Sequence, residues 1–253
     1  MYDVSMNALS PTADAFTTAY ASGRGQIVWT RIVADLETPV SAWLKLGAGE
    51  THSFLFESVQ GGETRGRYSI IGLKPDLIWR VTGDTAEICR NPGDAKPVWT
   101  PETLAPLQSL KAQLDAIALD IPTELPPMVA GLFGYLAYDM VRQMERLPKA
   151  KPDPIGVHDA ILVRPTIMAI FDALKADVTL ASPVWPEPGL DAATAYRRAV
   201  ARIDAAKNAF FNPLPQSTTV KATDVGAVVS NTTHANYLDM VSKAKEYIGA
   251  GDA

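Results

Sequence analysis

The segment Ser53–Gly72, SFLFESVQGGETRGRYSIIG, constrains the fold of this chain more than any other. Two apolar strands flank a polar stretch of three glycines and two arginines, which makes that stretch a connection between strands. The first strand ends in an adjacent Glu57-Ser58 pair. Side chains alternate along a strand, so these two point to opposite sides unless a bulge intervenes. One ligand could then meet the Ser58 hydroxyl and the backbone near Glu57, but not easily both side chains. The competing reading is a polar strand end whose groups make turn hydrogen bonds. The loop from Gly61 to Arg67 lacks the Lys-Ser/Thr ending of a P-loop, and a strand rather than a helix follows it, which argues against nucleotide binding. Its glycines supply positive φ for the connection. Arg67 and Tyr68 start the next strand and are placed to face Ser58.

Strand signals come in series over the first half of the chain: Ile27–Val33, Ala42–Leu46, His52–Glu57, Tyr68–Leu73, Leu77–Thr82 and Ala86–Arg90. The last two flank Gly83-Asp84, a hairpin-turn pair. A helix is expected next, with Thr100 as cap, Pro101 at its first position and Leu104, Leu107, Leu110, Leu114 and Ile117 as its apolar stripe. Val129–Leu136 reads as a buried strand, followed by a short helix from Tyr138 to about Glu145. Ala160–Asp172 and Lys175–Ala181 read as a strand pair. A second amphipathic helix spans Ala192–Phe210, with Tyr196, Val200, Ile203 and Phe210 near one face.

The ends are different in character. Residues 1–24 are small, polar and aperiodic, which reads as a flexible N-terminal arm. Residues 212–229 have a linker composition of prolines, threonines and little periodicity. A helix starts near Thr232, with Tyr237, Met240, Val241, Ala244, Tyr247 and Ile248 as its stripe, and Gly249 and Gly251 end it. An amphipathic helix beyond a linker needs a partner surface, and the reading preferred here is that it opens a second domain. The fold class expected is α/β in the α+β sense: antiparallel β-sheets packed together, with flanking helices.

Composition narrows the partners. A net charge of −5 gives no long-range attraction for nucleic acid or anionic lipid, so neither is expected. One cysteine, Cys89, rules out an internal disulfide and a thiolate-rich zinc site and fits a reducing cytoplasm. The N-terminus has no basic, apolar leader, and the most apolar segment, AILVRPTIMAIF, is broken by Arg164 and Pro165 and is too short to span a bilayer. The three histidines, His52, His158 and His234, are scattered without metal-ligand spacing. No nucleophile elbow is present, and Cys89 has no nearby basic signature, so nucleophilic catalysis has no support. GLFGYLAYD, from Gly131 to Asp139, is a small-residue junction best explained by close backbone packing. Read from its residues alone, the chain carries one candidate ligand site and no active site.

Three motifs taken together carry a resemblance: FLFESVQGGETRGRYSIIG, GLFGYLAYDMVRQMERLP and SNTTHANYLDMVSKAKEYIGAGDA, in this order and separation. They resemble component I of anthranilate synthase, in the chorismate-utilising family. The resemblance implies an enzyme, a carbon-oxygen lyase, that makes anthranilate and pyruvate from chorismate and ammonia for tryptophan biosynthesis. It implies Mg²⁺ as cofactor, a glutamine amidotransferase subunit as partner and tryptophan as feedback inhibitor. On this pattern residues 25–211 form the N-terminal regulatory domain and residues 230–253 are the start of a chorismate-binding catalytic domain that the sequence does not include. No catalytic residue and no Mg²⁺ ligand is then expected in this chain, which alone should be inactive. The tryptophan site carries over to Leu55, Phe56, Glu57 and Ser58, with Arg67 or Tyr68 as partner from the adjoining strand. An indole needs an apolar slot, its ammonium an acceptor and its carboxylate a donor. Two alternatives remain: a fragment of aminodeoxychorismate synthase component I, and a freestanding amino-acid-binding or interaction domain.

Overall fold

A computed structural model describes residues 7–47, 49–57, 66–148, 153, 155–215 and 226–252. In chain order the elements are α1 (Ala13–Ala21), β1 (Gln26–Val33), α2 (Pro39–Leu46), β2 (Phe54–Phe56), β3 (Tyr68–Thr82), β4 (Thr85–Cys89), β5 (Trp99–Pro101) and α3 (Pro106–Ala116). Then follow β6 (Phe133–Leu136), β7 (Ala160–Asp172), β8 (Asp177–Val184), α4 (Ala192–Phe210) and α5 (His234–Ala250). Short 3₁₀ turns cover Pro127–Val129 and Tyr138–Gln143. The chain divides into two compact units between Pro215 and Gln216.

Within the first unit the expected mixture of helices and antiparallel strands is found. The strands join one hydrogen-bonded network in the order β1-β8-β7-β3-β4-β5, with β2 on β3 and β6 on β7. Its spine is the antiparallel pair β3 and β7, which runs from Tyr68↔Asp172 to Val81↔Ala160. The register shifts between Pro75 and Leu77, so Asp76 is the extra residue of a bulge. Tyr68–Leu73 and Leu77–Thr82, expected as separate strands, are thus one strand interrupted by that bulge.

The bulge divides the sheet into two halves. The near half joins β2, β8 and β1 to the first part of β3 and the last part of β7. One of its faces packs Phe16, Val28, Ile71, Leu180, Ile203 and Phe210 under α1, α2 and α4. The other holds Ile70, Leu125, Val129, Met168 and Ile170. With both faces covered, β8 is buried at every position and reads as a continuous run rather than an alternation. The far half joins β4, β5 and β6 to the remainder of the spine. Its core is Leu77, Trp79, Val81, Ile88 and Met140, and the Trp79 indole N–H donates to Ser109 of α3 at 3.0 Å.

Several sequence expectations need correction. Residues 13–21 are not a loose arm: Thr12 caps α1 by accepting from Ala15 N–H, and Phe16 and Tyr20, one turn apart, are buried in the near-half core. Ala42–Leu46 is helix, not strand. Thr38 and Ser41 form a capping box, Pro39 sits at the first position, and Ala42 and Leu46 face the core. The third helix begins at Pro106 rather than Pro101, because Trp99–Pro101 pairs with β4. Its buried residues are therefore Pro106, Ser109 and Gln113, while Leu104 and Leu114 stay exposed. Val129–Leu136 is not one buried strand: it splits into a turn and β6, whose last three residues are exposed.

The second unit holds α5. Thr233 caps it by accepting from Asn236 N–H at 3.3 Å, and Gly251, at φ 82°, closes it with its N–H on Ile248 and Tyr247 carbonyls. None of its residues is buried.

Candidate functional site

The candidate site begins where β2 ends. Leu55 lies opposite Ile71, and Phe56 lies opposite Ile70. Alternation sends Leu55 to the near-half core, while Phe54 and Phe56 share the other face with ring centroids 4.6 Å apart. Phe54 also stacks on Phe133 of β6 at 5.1 Å. Gly72 sits opposite Phe54, and a Cβ there would lie 2.3 Å from the Phe54 ring, so a glycine makes room for the aromatic pair. Phe56 is 45% exposed and Glu57 is exposed. Ser58 lies outside the described residues, as does the loop through Arg65. Leu55 and Phe56, grouped together in the sequence, thus line different faces of the sheet.

Arg67 and Tyr68 sit at the other side of the same connection. Arg67 is already engaged: its Nε donates to Asp172 Oδ1 at 2.8 Å and its Nη2 to Oδ2 at 2.6 Å, a bidentate pair across the start of the spine. Its guanidinium also lies 4.8 Å from the Tyr68 ring centroid, a cation–π distance. Asp172 and Asp177 sit close together at the β7–β8 turn, and their carboxyls shift in opposite directions. Burial pushes the Asp172 carboxyl up, but the Arg67 hydrogen bonds and the Leu174 N–H outweigh it and hold Asp172 below the usual carboxylate range. Burial raises Asp177, the Asp172 charge adds to the rise, and Arg31, 4.0 Å away, offsets only part of it. Arg31 is held in turn by the Glu124 carbonyl at 2.6 Å.

Two recesses flank this ion-pair cluster. One, of about 260 Å³, is bounded by Glu37, Pro39, Ser69 and Phe171; the other, of about 250 Å³, by Arg31, Tyr68, Leu125, Lys175 and Thr179. Both share Arg67, Asp172 and Asp177, and both fall below the roughly 300 Å³ floor of ordinary small-molecule sites. The arrangement offers cations, carboxylates and a phenol for holding a small polar molecule. Sequence reasoning named Arg67 and Tyr68 but missed Arg31, Asp172, Lys175 and Asp177. Asp172 lies 105 residues from Arg67, so no local pattern could have found it.

His158 lies 2.8 Å from the Thr82 hydroxyl and 3.4 Å from Arg80, His52 has a positive φ in a turn, and His234 opens α5. Among the described residues no group of three or more His, Cys, Asp or Glu side chains could hold a metal ion. No helix among them is long and apolar enough to cross a membrane.

The sequence model of one protein family, chorismate binding enzyme, matches residues 52–253. The chain belongs to the chorismate-binding enzyme family. It is 44% identical over 240 residues to a protein of Cereibacter sphaeroides named anthranilate synthase component 1, a match that covers 94% of this chain and 48% of that one. A Synechocystis protein of the same name is 36% identical over 258 residues, covering 96% and 49%. The chain thus spans about half the length of the curated relatives it matches. A solved anthranilate synthase component I from Streptococcus pneumoniae aligns with 87% of this chain at a TM-score of 0.49 and 18% identity.

Proposed function

We propose that this chain is the N-terminal part of an anthranilate synthase component I, a lyase acting in the cytoplasm that converts chorismate and ammonia to anthranilate and pyruvate. The observation that carries the reading is the 44% identity to a protein of that name across nearly all of this chain. In this reading the first unit is regulatory and α5 belongs to the catalytic half. Ammonia comes from a glutamine amidotransferase subunit. Mg²⁺, which neutralises a carboxylate of the dianionic substrate in such enzymes, is held by residues beyond this chain. No described residue is assigned to the chemical step.

The strand end at Leu55–Ser58 serves as the tryptophan sensor, together with Tyr68. The geometry supports a changed part for Arg67. Both ends of its guanidinium face are committed to Asp172 and its flank to Tyr68, so it acts as a positioning residue that fixes the start of β3. The two recesses beside it are each smaller than ordinary small-molecule sites, which fits a pocket completed by the rest of the enzyme.

The test uses the full-length enzyme with its glutaminase. Ser58→Ala should raise the tryptophan concentration for half inhibition about tenfold, the loss of one hydrogen bond to a charged ligand group, with chorismate turnover unchanged. An equal fall in both would make Ser58 structural. Identification of the aromatic product decides the reaction: aminodeoxychorismate in place of anthranilate overturns the assignment. Calorimetry on the 253-residue chain alone should show weak or no tryptophan binding, and submicromolar affinity would overturn the incomplete pocket.

A further inference from the structure

A third recess, of about 420 Å³, lies at the bulge, away from the strand end. Asp76 of the bulge, Arg164 of β7, the end of β8 with the segment that follows it (Pro183–Pro188), Arg202 of α4 and Arg90 after β4 all line it. Its volume falls within the range of small-molecule sites, unlike the recesses at Arg67.

The lining is built. Arg164 Nε donates to Asp76 Oδ1 at 2.7 Å and Nη2 to Oδ2 at 3.0 Å, so the residue expelled by the bulge is locked to the spine. The Arg164 guanidinium lies 4.3 Å from the Trp185 ring centroid, and the Trp185 indole N–H donates to the Ile117 carbonyl at 2.9 Å. This fixes the aromatic wall, which Pro183, Pro186 and Pro188 extend. Glu187, the other acid here, meets Arg198 at 3.7 Å.

Arg202 is the anomaly. Burial lowers the pKa of its guanidinium, and the more distant charges of Asp76 and Glu187 counter this only in part. Among the described residues, no carboxylate lies within salt-bridge distance of Arg202 or of Arg90, which donates to the Gln113 side chain at 3.5 Å. The two lining carboxylates are already paired, Asp76 with Arg164 and Glu187 with Arg198, so Arg202 and Arg90 are left without a carboxylate at salt-bridge distance among the described residues, beside an apolar wall. A partly desolvated arginine without a carboxylate partner carries a cost that a bound carboxylate reduces, and a planar guanidinium fits a carboxylate in bidentate fashion.

We propose that this recess binds a small organic monocarboxylate, its charge on Arg202 and Arg90 and its apolar body against Trp185 and the prolines. Inorganic phosphate could meet the two guanidinium groups but has nothing to lay on the wall. The site is separate from the strand end, so its test is independent of the tryptophan reading.

The experiment is a titration of the chain with benzoate, followed at the Trp185 indole N–H resonance, with inorganic phosphate as the second arm. A saturable shift with benzoate is expected, weaker by about tenfold or more in Arg202→Gln and partly restored in Arg202→Lys, as the loss of a charge-assisted hydrogen bond requires. Phosphate should shift the resonance little. Absence of a saturable shift, unchanged affinity in a folded Arg202→Gln, or phosphate binding as tight as benzoate would each overturn the assignment. If Arg202→Gln does not fold, Arg90→Gln, at an exposed position, makes the same comparison.

Discussion

The two ends of the near half-sheet use the same device to different effect. At the start of the spine Arg67 clasps Asp172 and lies over Tyr68; at the bulge Arg164 clasps Asp76 and lies over Trp185. Each is a bidentate arginine–aspartate pair set beside an aromatic ring. The first stands in a cluster where Arg67, Arg31 and Lys175 meet Asp172, Asp177 and Glu124, three charges of each sign around small recesses. The second stands beside Arg202, which has no carboxylate at salt-bridge distance among the described residues, in a larger recess. A balanced cluster closes a sheet edge. An unbalanced one keeps a capacity for a ligand.

The comparison presumes that the two half-sheets form one cooperative unit, and the largest effect tests that. Trp79→Ala in the far-half core should cost about 3–5 kcal/mol in urea denaturation and move a single transition seen by all probes. A far-half transition split from that of the near half would break the comparison. Gly134→Ala should follow at about 1–3 kcal/mol. A Cβ there would lie 1.9 Å from the Ile161 carbonyl oxygen, so β6 must lift from β7, and amide exchange should rise along Phe133–Leu136. Retained protection would show that β7 gives way instead.

The smallest effects sharpen the contrast by pH. Asp172 has its folded pKa depressed, so its stabilisation is present above the ordinary carboxylate pKa and is lost as pH falls through the lowered folded value. Asp177 has its folded pKa raised, so its contribution is present below the ordinary value and is lost as pH rises through the folded one. Asp172→Asn should therefore lower the urea midpoint at pH 7 and flatten the loss below pH 4. Asp177→Asn should leave the midpoint at pH 7 unchanged or raise it. A matched fall in both would mean that the two carboxylates act as one paired group.

Local signals explain what could be read in advance. The helix Ala192–Phe210 was legible to the residue, because Asp191 caps it and its apolar spacing is long and regular. The segment Pro39–Leu46 misled because five apolar-rich residues fit either period, and the Thr38-Pro39 cap was the signal that decides. At residues 99–106 two prolines offered two helix starts, and pairing with β4 selected the later one. The N-terminal helix rests on just Phe16 and Tyr20, too sparse a pattern to stand out. At the candidate site the strand end was visible from its motif. Its charge partners were not, since Asp172 and Asp177 reach Arg67 and Arg31 only through the sheet.

The continuity of β3 and β7 through both halves has a kinetic consequence. The rungs of that pair join residues from 104 positions apart (Tyr68 with Asp172) to 79 (Val81 with Ala160), so neither half can complete its sheet until that long loop has closed. Folding of the first unit should be slow for its size and should wait on one event. Until then a growing chain that has emerged only through β6 exposes the unpaired edge of β3, and the arrival of β7 is the step that removes it.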